Sequence, residues 1–208
     1  FNFIFMIYIF SIIRTSFIRD IRNNKFEPSS GYYTSISTEY SGLGGDKYWF
    51  KLEADGRYFK KLYGDLVFRS RFYASKLSEI NGKSIPRTEK FTLGGARNLR
   101  GYPYESIGPK GIYDVDGVSM EFNTGGLFSA YTTLELEHPL AREAGLKWVI
   151  FFDAGDAGTY DTFKLYSDYG FGFRWFSPIG VLRFEFGYPL NQDEDQGGQF
   201  NFDIGQLF

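Results

Sequence analysis

Arg100 is the residue in this chain whose surroundings most clearly point to a specific role. It lies in the segment Phe91–Tyr102, which reads FTLGGARNLRGY, within a long polar stretch between aromatic-rich strands. Its guanidinium carries a permanent charge and five hydrogen-bond donors. The glycines beside it, Gly94, Gly95 and Gly101, permit positive φ values and close backbone approach. An arginine presented in this way needs carboxylate partners, and the flanking strands contain several.

The titratable residues do not support an enzyme. His138 is the only histidine and there is no cysteine, which excludes the usual catalytic triads and zinc sites. His138 precedes Pro139 at a predicted strand end, where a turn or interfacial role is expected. Two acidic groups resemble parts of calcium loops but lack the full ligand set: Asp114, Asp116 and Gly117 in one, Asp153 and Asp156 in the other. We therefore expect no catalytic residue, no metal and no cofactor.

Alternating side chains predict the strands that would position Arg100. Apolar and charged residues alternate with period two, so each strand has one apolar and one charged face. Seven segments show this pattern. Their apolar faces contain Phe50 and Leu52; Phe68 and Phe72; Leu134 and Leu136; Trp148, Ile150 and Phe152; Phe171, Phe173 and Trp175; Phe184 and Phe186; and Phe200, Phe202, Ile204 and Phe208. The opposite faces carry charges that include Arg69, Glu135, Asp153, Arg174 and Glu185.

The composition favours an antiparallel transmembrane β-barrel. Aromatic residues make up 21% of the chain, with 24 Phe and 16 Tyr, and 25 Gly accompany them. Lipid-facing rings, polar lumen residues and tight turns produce this mixture. A soluble β-sandwich would also alternate, but its apolar face would point inward and it would be less aromatic. The net charge of −2 gives no basic surface for nucleic acid, so nucleic-acid binding is not expected.

The connections between strands also fit an outer-membrane barrel. Short turns at 60–64, 138–145 and 177–180 suit the periplasmic side, and longer loops suit the outside. The longest connection runs from about 76 to 126, a length that is usually functional or disordered. At the start of the chain, Phe1–Ile13 is too short for a helical span. We interpret it as a lipid-facing or buried strand, or alternatively as a cropped terminus, and in either case the chain looks like a fragment.

Several ordered motifs resemble the superfamily that contains the BamA, TamA, Sam and FhaC proteins. The stretch Phe91–Gly111 is similar to the sixth extracellular loop of that superfamily, with the RGY core at Arg100–Tyr102. Further similarities follow in order at Ala130–Leu140, Phe151–Gly158, Gly170–Gly180 and Phe200–Phe208. The segment Arg19–Asn24 with Pro28, Gly31 and Tyr32 resembles a turn earlier in the same barrel. The resemblance thus covers most of the chain.

The resemblance implies an architecture and a set of site residues. The fold would be all-β, the C-terminal portion of a sixteen-stranded barrel with a loop inserted into the lumen. Residues 1–208 would form one partial barrel domain that matches about the last nine strands, without the periplasmic POTRA repeats or the N-terminal strands. Arg100, Gly101 and Tyr102 would form a loop lock with Glu135 and Asp153. The last strand, represented by Phe200, Phe202, Ile204, Gly205 and Phe208, would form one side of a barrel seam.

The function implied by the resemblance is mechanical. Ser106–Lys110 and Phe151–Gly155 resemble BamA more than FhaC, which favours the insertion and folding of β-barrel proteins in the bacterial outer membrane through the seam. Its expected partners are outer-membrane lipid, unfolded β-barrel clients and periplasmic accessory proteins. The open sheet edges would also need to pair with missing strands or with a second copy. The alternatives are a FhaC-type secretion transporter, the barrel anchor of a patatin-type autotransporter, and a passive porin.

Overall fold

The computed structural model describes residues 10–82, 84–115, 117–159, 164–178, 180–191 and 197–208. Its described residues form one large antiparallel sheet, a small hairpin and one short 3-10 helix. No helix in these ranges is long and apolar enough to span a membrane. The all-β antiparallel architecture predicted from the alternation is therefore confirmed.

Nine strands make up the large sheet, in the order β1-β2-β3-β4-β7-β8-β9-β10-β11. Each strand pairs with its neighbours in antiparallel register, and β4 pairs with β7 because the hairpin β5-β6 lies in the connection between them. Among the described residues β1 and β11 do not pair with each other, so the sheet is not closed. The strands are β1 (Phe10–Asp20), β2 (Ser30–Gly45), β3 (Trp49–Lys61), β4 (Val67–Glu79), β5 (Lys110–Val115), β6 (Val118–Asn123), β7 (Phe128–Ala141), β8 (Leu146–Gly158), β9 (Tyr166–Ser177), β10 (Gly180–Pro189) and β11 (Gln199–Ile204).

The two faces of the sheet have the polarity of a membrane barrel. Large rings such as Phe72, Phe171 and Phe202 are 57%, 46% and 53% exposed on the outer face. Charged side chains on the inner face, among them Arg69 and Glu135, are buried. This inversion of the usual soluble pattern suits a sheet whose outer surface meets lipid, and it confirms the faces that the sequence predicted for these residues.

The long connection is shorter and more ordered than predicted. Strand β4 continues to Glu79, so the loop begins after that residue and not near 76. Within it lie the 3-10 helix Arg87–Glu89 and the hairpin β5-β6. Two isolated bridges, Phe91 with Gly126 and Leu93 with Ile107, tie its base together. Side chains on both faces of β6 are exposed, so that strand has no buried face.

The connections do not all follow the predicted contrast of short turns and long loops. The connection between β1 and β2 runs over 21–29 and is held by Asn23, whose Oδ1 accepts hydrogen bonds from the backbone N–H groups of Ser29 and Ser30 at 3.0 Å. At the opposite end of the sheet, β2 and β3 are joined only by 46–48. Most of the apolar run Phe1–Ile13 lies outside the described residues, and its last residues, Phe10–Ile13, begin β1.

The prediction for the end of the last strand was wrong. Strand β11 ends at Ile204, and Gly205 adopts a φ of 113°, a left-handed conformation that glycine adopts readily. The chain then turns inward, so Phe208 is 4% exposed and does not share the outer face with Phe202. Its ring packs edge-on against Phe59 at 5.9 Å and lies 4.8 Å from the Arg69 guanidinium. Period-two alternation predicts faces only while the backbone stays extended.

Candidate functional site

A compact turn in the long loop presents Arg100. Gly94 and Gly95 have φ values of 110° and 96°. Asn98 Oδ1 accepts a hydrogen bond from the Gly94 N–H at 2.7 Å, and the Gly95 N–H donates to the carbonyls of Leu99 and Tyr102 at 3.1 and 2.9 Å. A Cβ on Gly94 would lie 2.1 Å from the carbonyl oxygen of Pro103. The glycines therefore form a turn that residues with side chains would strain.

Arg100 is fully buried on the inner wall of the sheet, where it binds carboxylates from three strands. Asp153 on β8 receives a bidentate pair, with Nε–Oδ2 and Nη2–Oδ1 distances of 2.7 and 2.8 Å. The Arg100 Nη1 donates to Glu135 on β7 at 2.7 Å and to Glu185 on β10 at 3.1 Å. The guanidinium carbon lies 3.5 Å from the centre of the Phe151 ring. Charge-assisted, bidentate hydrogen bonds of this kind fix orientation as well as position.

A second arginine, Arg174 on β9, binds the same two glutamates. It donates to both oxygens of Glu135 at 2.7 and 2.8 Å, and through Nε and Nη2 to Glu185 Oε1 at 2.9 and 2.7 Å. We call Arg100, Glu135, Asp153, Arg174 and Glu185 the arginine cluster. Each of these side chains is at most 1% exposed.

The electrostatics of the cluster favour charged Arg100. Burial alone lowers the pKa of Arg100, but the carboxylates of Asp153, Glu185 and Glu135 outweigh it and raise that pKa above the usual value of an arginine. The guanidinium therefore stays protonated. Separating it from these carboxylates would leave buried charges without compensation, which is costly in a low-dielectric interior.

Two glycines, which have no side chain, allow the loop to contact the inner wall of the sheet. A Cβ on Gly187 of β10 would lie 2.5 Å from the Arg100 carbonyl carbon and the Gly101 nitrogen. A Cβ on Gly101 would lie 2.5 Å from Cβ of Asp168 on β9. Loop and wall thus touch backbone to backbone at a glycine on each side, and a methyl group at either position has no room.

Apolar and tyrosine contacts hold the loop on both sides of Arg100. Leu99 is fully buried and Tyr102 is 2% exposed, and both belong to a cluster with Leu93, Ile107 and Tyr131. The Tyr102 hydroxyl donates to the carbonyls of Ser167 and Asn191 at 3.0 and 3.3 Å. Polar docking of Arg100 is therefore reinforced by burial of its neighbours.

The last strand also contacts the loop. Asn201 on β11 donates from Nδ2 to the Arg100 carbonyl at 2.8 Å. Asp203 on the same strand accepts from Arg97 of the loop at 3.1 Å and from Arg183 of β10 at 2.6 Å. Arg183 donates in turn to the carbonyl of Ala96 at 3.0 Å. The inner face of β11 is thus joined to the loop at two positions.

The structure brings together some of the predicted site residues and separates others. Arg100, Glu135 and Asp153 meet in one cluster, with Gly94, Gly95, Gly101 and Tyr102 around them. Phe200, Phe202 and Ile204 lie on the outer face of β11, away from the cluster, and are 53% to 54% exposed. Gly205 and Phe208 lie beyond the end of the strand.

Sequence reasoning missed several members of the site. Arg174 and Glu185 were placed on the inner face but not assigned to the lock, and neither Gly187 nor Asn201 was considered for it. For Arg174 and Glu185, the available signal in the sequence was a charged residue at the inward position of each of two successive strands. Of the calcium-like groups, Asp116 lies outside the described residues, and in the described part of the chain no group of His, Asp and Glu could hold a metal ion.

Known proteins with similar sequences support the observed fold, and the similarity covers most of the chain. The family model described as "Omp85 superfamily domain" matches residues 8–208. The outer membrane protein assembly factor BamA of Nitratidesulfovibrio vulgaris is 30% identical over 95% of this chain and 26% of its own length. The human sorting and assembly machinery component 50 homolog is 31% identical over 60% of this chain. The chain spans about a quarter of the length of these curated relatives.

A solved structure shows the same fold. The crystal structure of BamA from Haemophilus ducreyi lacking POTRA domains 1-3 superposes with a TM-score of 0.81, at 22% identity, over 94% of this chain and 42% of that one. A likeness at this identity supports the barrel architecture. Since the family model extends over nearly all of the sequence, the chain belongs to the Omp85 superfamily and its place is the bacterial outer membrane.

Proposed function

We propose that this chain forms the seam side of an outer-membrane assembly barrel, where β-strands of client proteins enter the membrane. The observation that carries the proposal is the position of β11. Its inner face is hydrogen-bonded to the docked loop through Asn201 and Asp203, and in the described residues its outer edge has no partner strand.

An edge strand offers a row of unpaired N–H and C=O groups, which is the chemistry of β-augmentation. Strand β11 spans six residues, whereas its neighbour β10 spans ten. A short strand has fewer backbone hydrogen bonds to give up when it changes partners, each contributing about 0.5–1.5 kcal/mol. This favours a role for β11 as the exchangeable side of the seam.

The docked loop would act as a latch on this strand. Moving β11 away from the lumen requires breaking the Asn201 contact to Arg100 and the Asp203 contact to Arg97. Because Arg100 binds side chains on β7, β8 and β10, the loop connects the edge strand to inner strands of the sheet. The role is mechanical, with outer-membrane lipid and unfolded β-barrel proteins as partners and with periplasmic accessory proteins delivering the clients.

Photo-crosslinking during reconstituted insertion tests the proposal. Benzoylphenylalanine replaces Phe202 on β11 or, as a matched control, Phe72 on β4. Both rings face outward with similar exposure, 53% and 57%, but Phe72 lies in the middle of the sheet. We expect a defined, labelled barrel client to crosslink at Phe202 while it is being inserted and to give little product at Phe72.

Equal crosslinking at the two positions would mean that the client contacts the barrel surface without preference for the seam. A probe at Tyr73, which lies on the inner face of β4, distinguishes the competing route. If the client crosslinks at Tyr73 and not at Phe202, it passes through the lumen, and a secretion transporter is the better assignment.

A further inference from the structure

Arg174, which lies on strand β9, binds two of the carboxylates that Arg100 also binds. Glu135 Oε1 accepts from both arginines, at 2.7 Å in each case. Glu185 gives one oxygen to each, Oε1 to Arg174 and Oε2 to Arg100. One arginine therefore belongs to the docked loop and the other to the wall, and they share two acids, Glu135 and Glu185.

The shared acids would keep cationic partners if the loop left. Glu135 would retain Arg174 and, at 3.9 Å, Arg69. Glu185 would retain Arg174 and, at 3.5 Å, Arg183. Asp153 differs, because among the described residues its only ion pair is with Arg100. Of the three acids that bind Arg100, undocking would thus leave only Asp153 without an ion pair among the described residues.

We infer that Arg174 is a resident counter-charge, a positioning residue that keeps Glu135 and Glu185 neutralised when Arg100 is absent, so that the loop can leave the wall and return. The inference rests on the proposed function, because that function gives the loop a reason to leave the wall. Its test measures the docked population and needs no client protein. Without Arg174, Glu135 and Glu185 would keep only their longer ion pairs with Arg69 and Arg183 besides Arg100. The docked loop would therefore be favoured, because a poorly paired buried charge is expensive. Asp153 is the acid that draws the loop back.

The sign of the effect distinguishes this role from simple structural support. Arg174→Gln removes the resident charge and should make docking tighter. Glu185→Gln removes a shared acid, leaves Arg174 in excess and should make docking looser. The double variant Arg174→Gln/Glu185→Gln restores the charge balance and should lie between the two. Arg174→Lys keeps the charge and should shift docking less than Arg174→Gln.

Electron spin resonance distances measure the docked population directly. The chain has no cysteine, so spin labels can be placed by Tyr104→Cys on the loop and Tyr63→Cys on the turn between β3 and β4. Both residues are largely exposed, at 80% and 89%. In the intact protein in lipid vesicles, Arg100→Ala defines the undocked distance. Arg14→Gln, which removes an exposed charge on β1 outside the cluster and outside both labelled connections, is the control for general charge effects.

We expect Arg174→Gln to raise the ratio of docked to undocked loop about threefold or more and Glu185→Gln to lower it by a similar factor. A lower docked ratio in Arg174→Gln, or the same direction of change in both single variants, would overturn the inference. If Arg174→Gln does not fold, Glu185→Gln and the charge-balanced double variant still decide the sign. If the distances shift as expected while client insertion is unaffected, the counter-charge role stands and the proposed function fails.

Discussion

At the scale of single residues, the site depends on buried charged side chains and on glycines, which have no side chain. The arginine cluster exchanges solvation for charge-assisted hydrogen bonds among strands β7 to β10 and the loop. That exchange is favourable only when the geometry is good and every charge has a partner. The geometry in turn depends on Gly101 and Gly187, which let the Arg100 backbone lie against the wall.

The glycine contact leads to a prediction with an internal control. Gly187→Ala should destabilise the docked loop by about 1–3 kcal/mol, because the added methyl group would overlap the backbone at Arg100 and Gly101. Gly56→Ala on β3 should change the unfolding free energy by less than about 0.5 kcal/mol, since the nearest atom to its Cβ would be 3.9 Å away. Urea unfolding in lipid vesicles, together with the loop-to-turn spin-label distance, measures both. Equal effects would indicate that loop docking tolerates displacement at this contact.

At the scale of elements, each strand of the large sheet must suit two environments at once. Its outer residues meet lipid and its inner residues meet a charged lumen, so a shift of one residue in register would reverse every side chain. Strand β9 illustrates this: Phe171 and Phe173 point outward while Asp168 and Arg174 are buried inside. The register of a strand therefore decides both which residues meet lipid and which residues can join the arginine cluster.

A charge in the outer row tests this division. Phe171 lies near the middle of β9, and Phe171→Arg should destabilise the inserted barrel by roughly 2–4 kcal/mol because that position is far from both interfaces. Phe171→Leu keeps an apolar outer face and should cost much less. The measurement is the fraction of barrel that resists heat unfolding on a gel after reconstitution. Normal assembly of the arginine variant would mean that this face is not in contact with lipid.

At the scale of the whole molecule, the loop divides into a docked part and a projecting part. The docked part contains Arg100 and its apolar neighbours. The projecting hairpin β5-β6 carries exposed Ile112, Val118 and Met120, and Thr124 closes its base by donating from its N–H to the Pro109 carbonyl at 2.7 Å. Stability and latch function should therefore reside in the docked part.

Replacing Gly111–Phe122 by two glycines tests this separation. Because the described side chains at 112, 114 and 117–122 are exposed, we expect the unfolding free energy to change by less than about 0.5 kcal/mol and the docked distance to be retained. Lys110 and Asn123 pair across the base, so a two-residue turn can join them. Loss of docking in the shortened protein would show that the hairpin helps to hold the loop, and the division proposed above would be wrong.

The sequence alone determined the class of fold and the faces of the strands, whereas the pairing of Arg100 with Glu135 and Asp153 was an expectation from the family resemblance. Period-two alternation is a local property of extended backbone, so it identified the outer rings and placed Glu135, Asp153, Arg174 and Glu185 on the inner wall. Glycine beside an isolated loop arginine also suggested close approach. These inferences required no knowledge of which strands are neighbours.

Tertiary structure decided which inner charges meet, how β11 ends and where the long loop divides. Arg100 and Arg174 are far apart in sequence, and their sharing of Glu135 and Glu185 depends on sheet register and on the depth to which the loop docks. The inward turn at Gly205 depends on a pocket formed by Phe59 and Arg69, distant residues that accept Phe208. Such contacts are set by the curvature and packing of the whole sheet, because alternation specifies the face on which a side chain lies but not the residues opposite it.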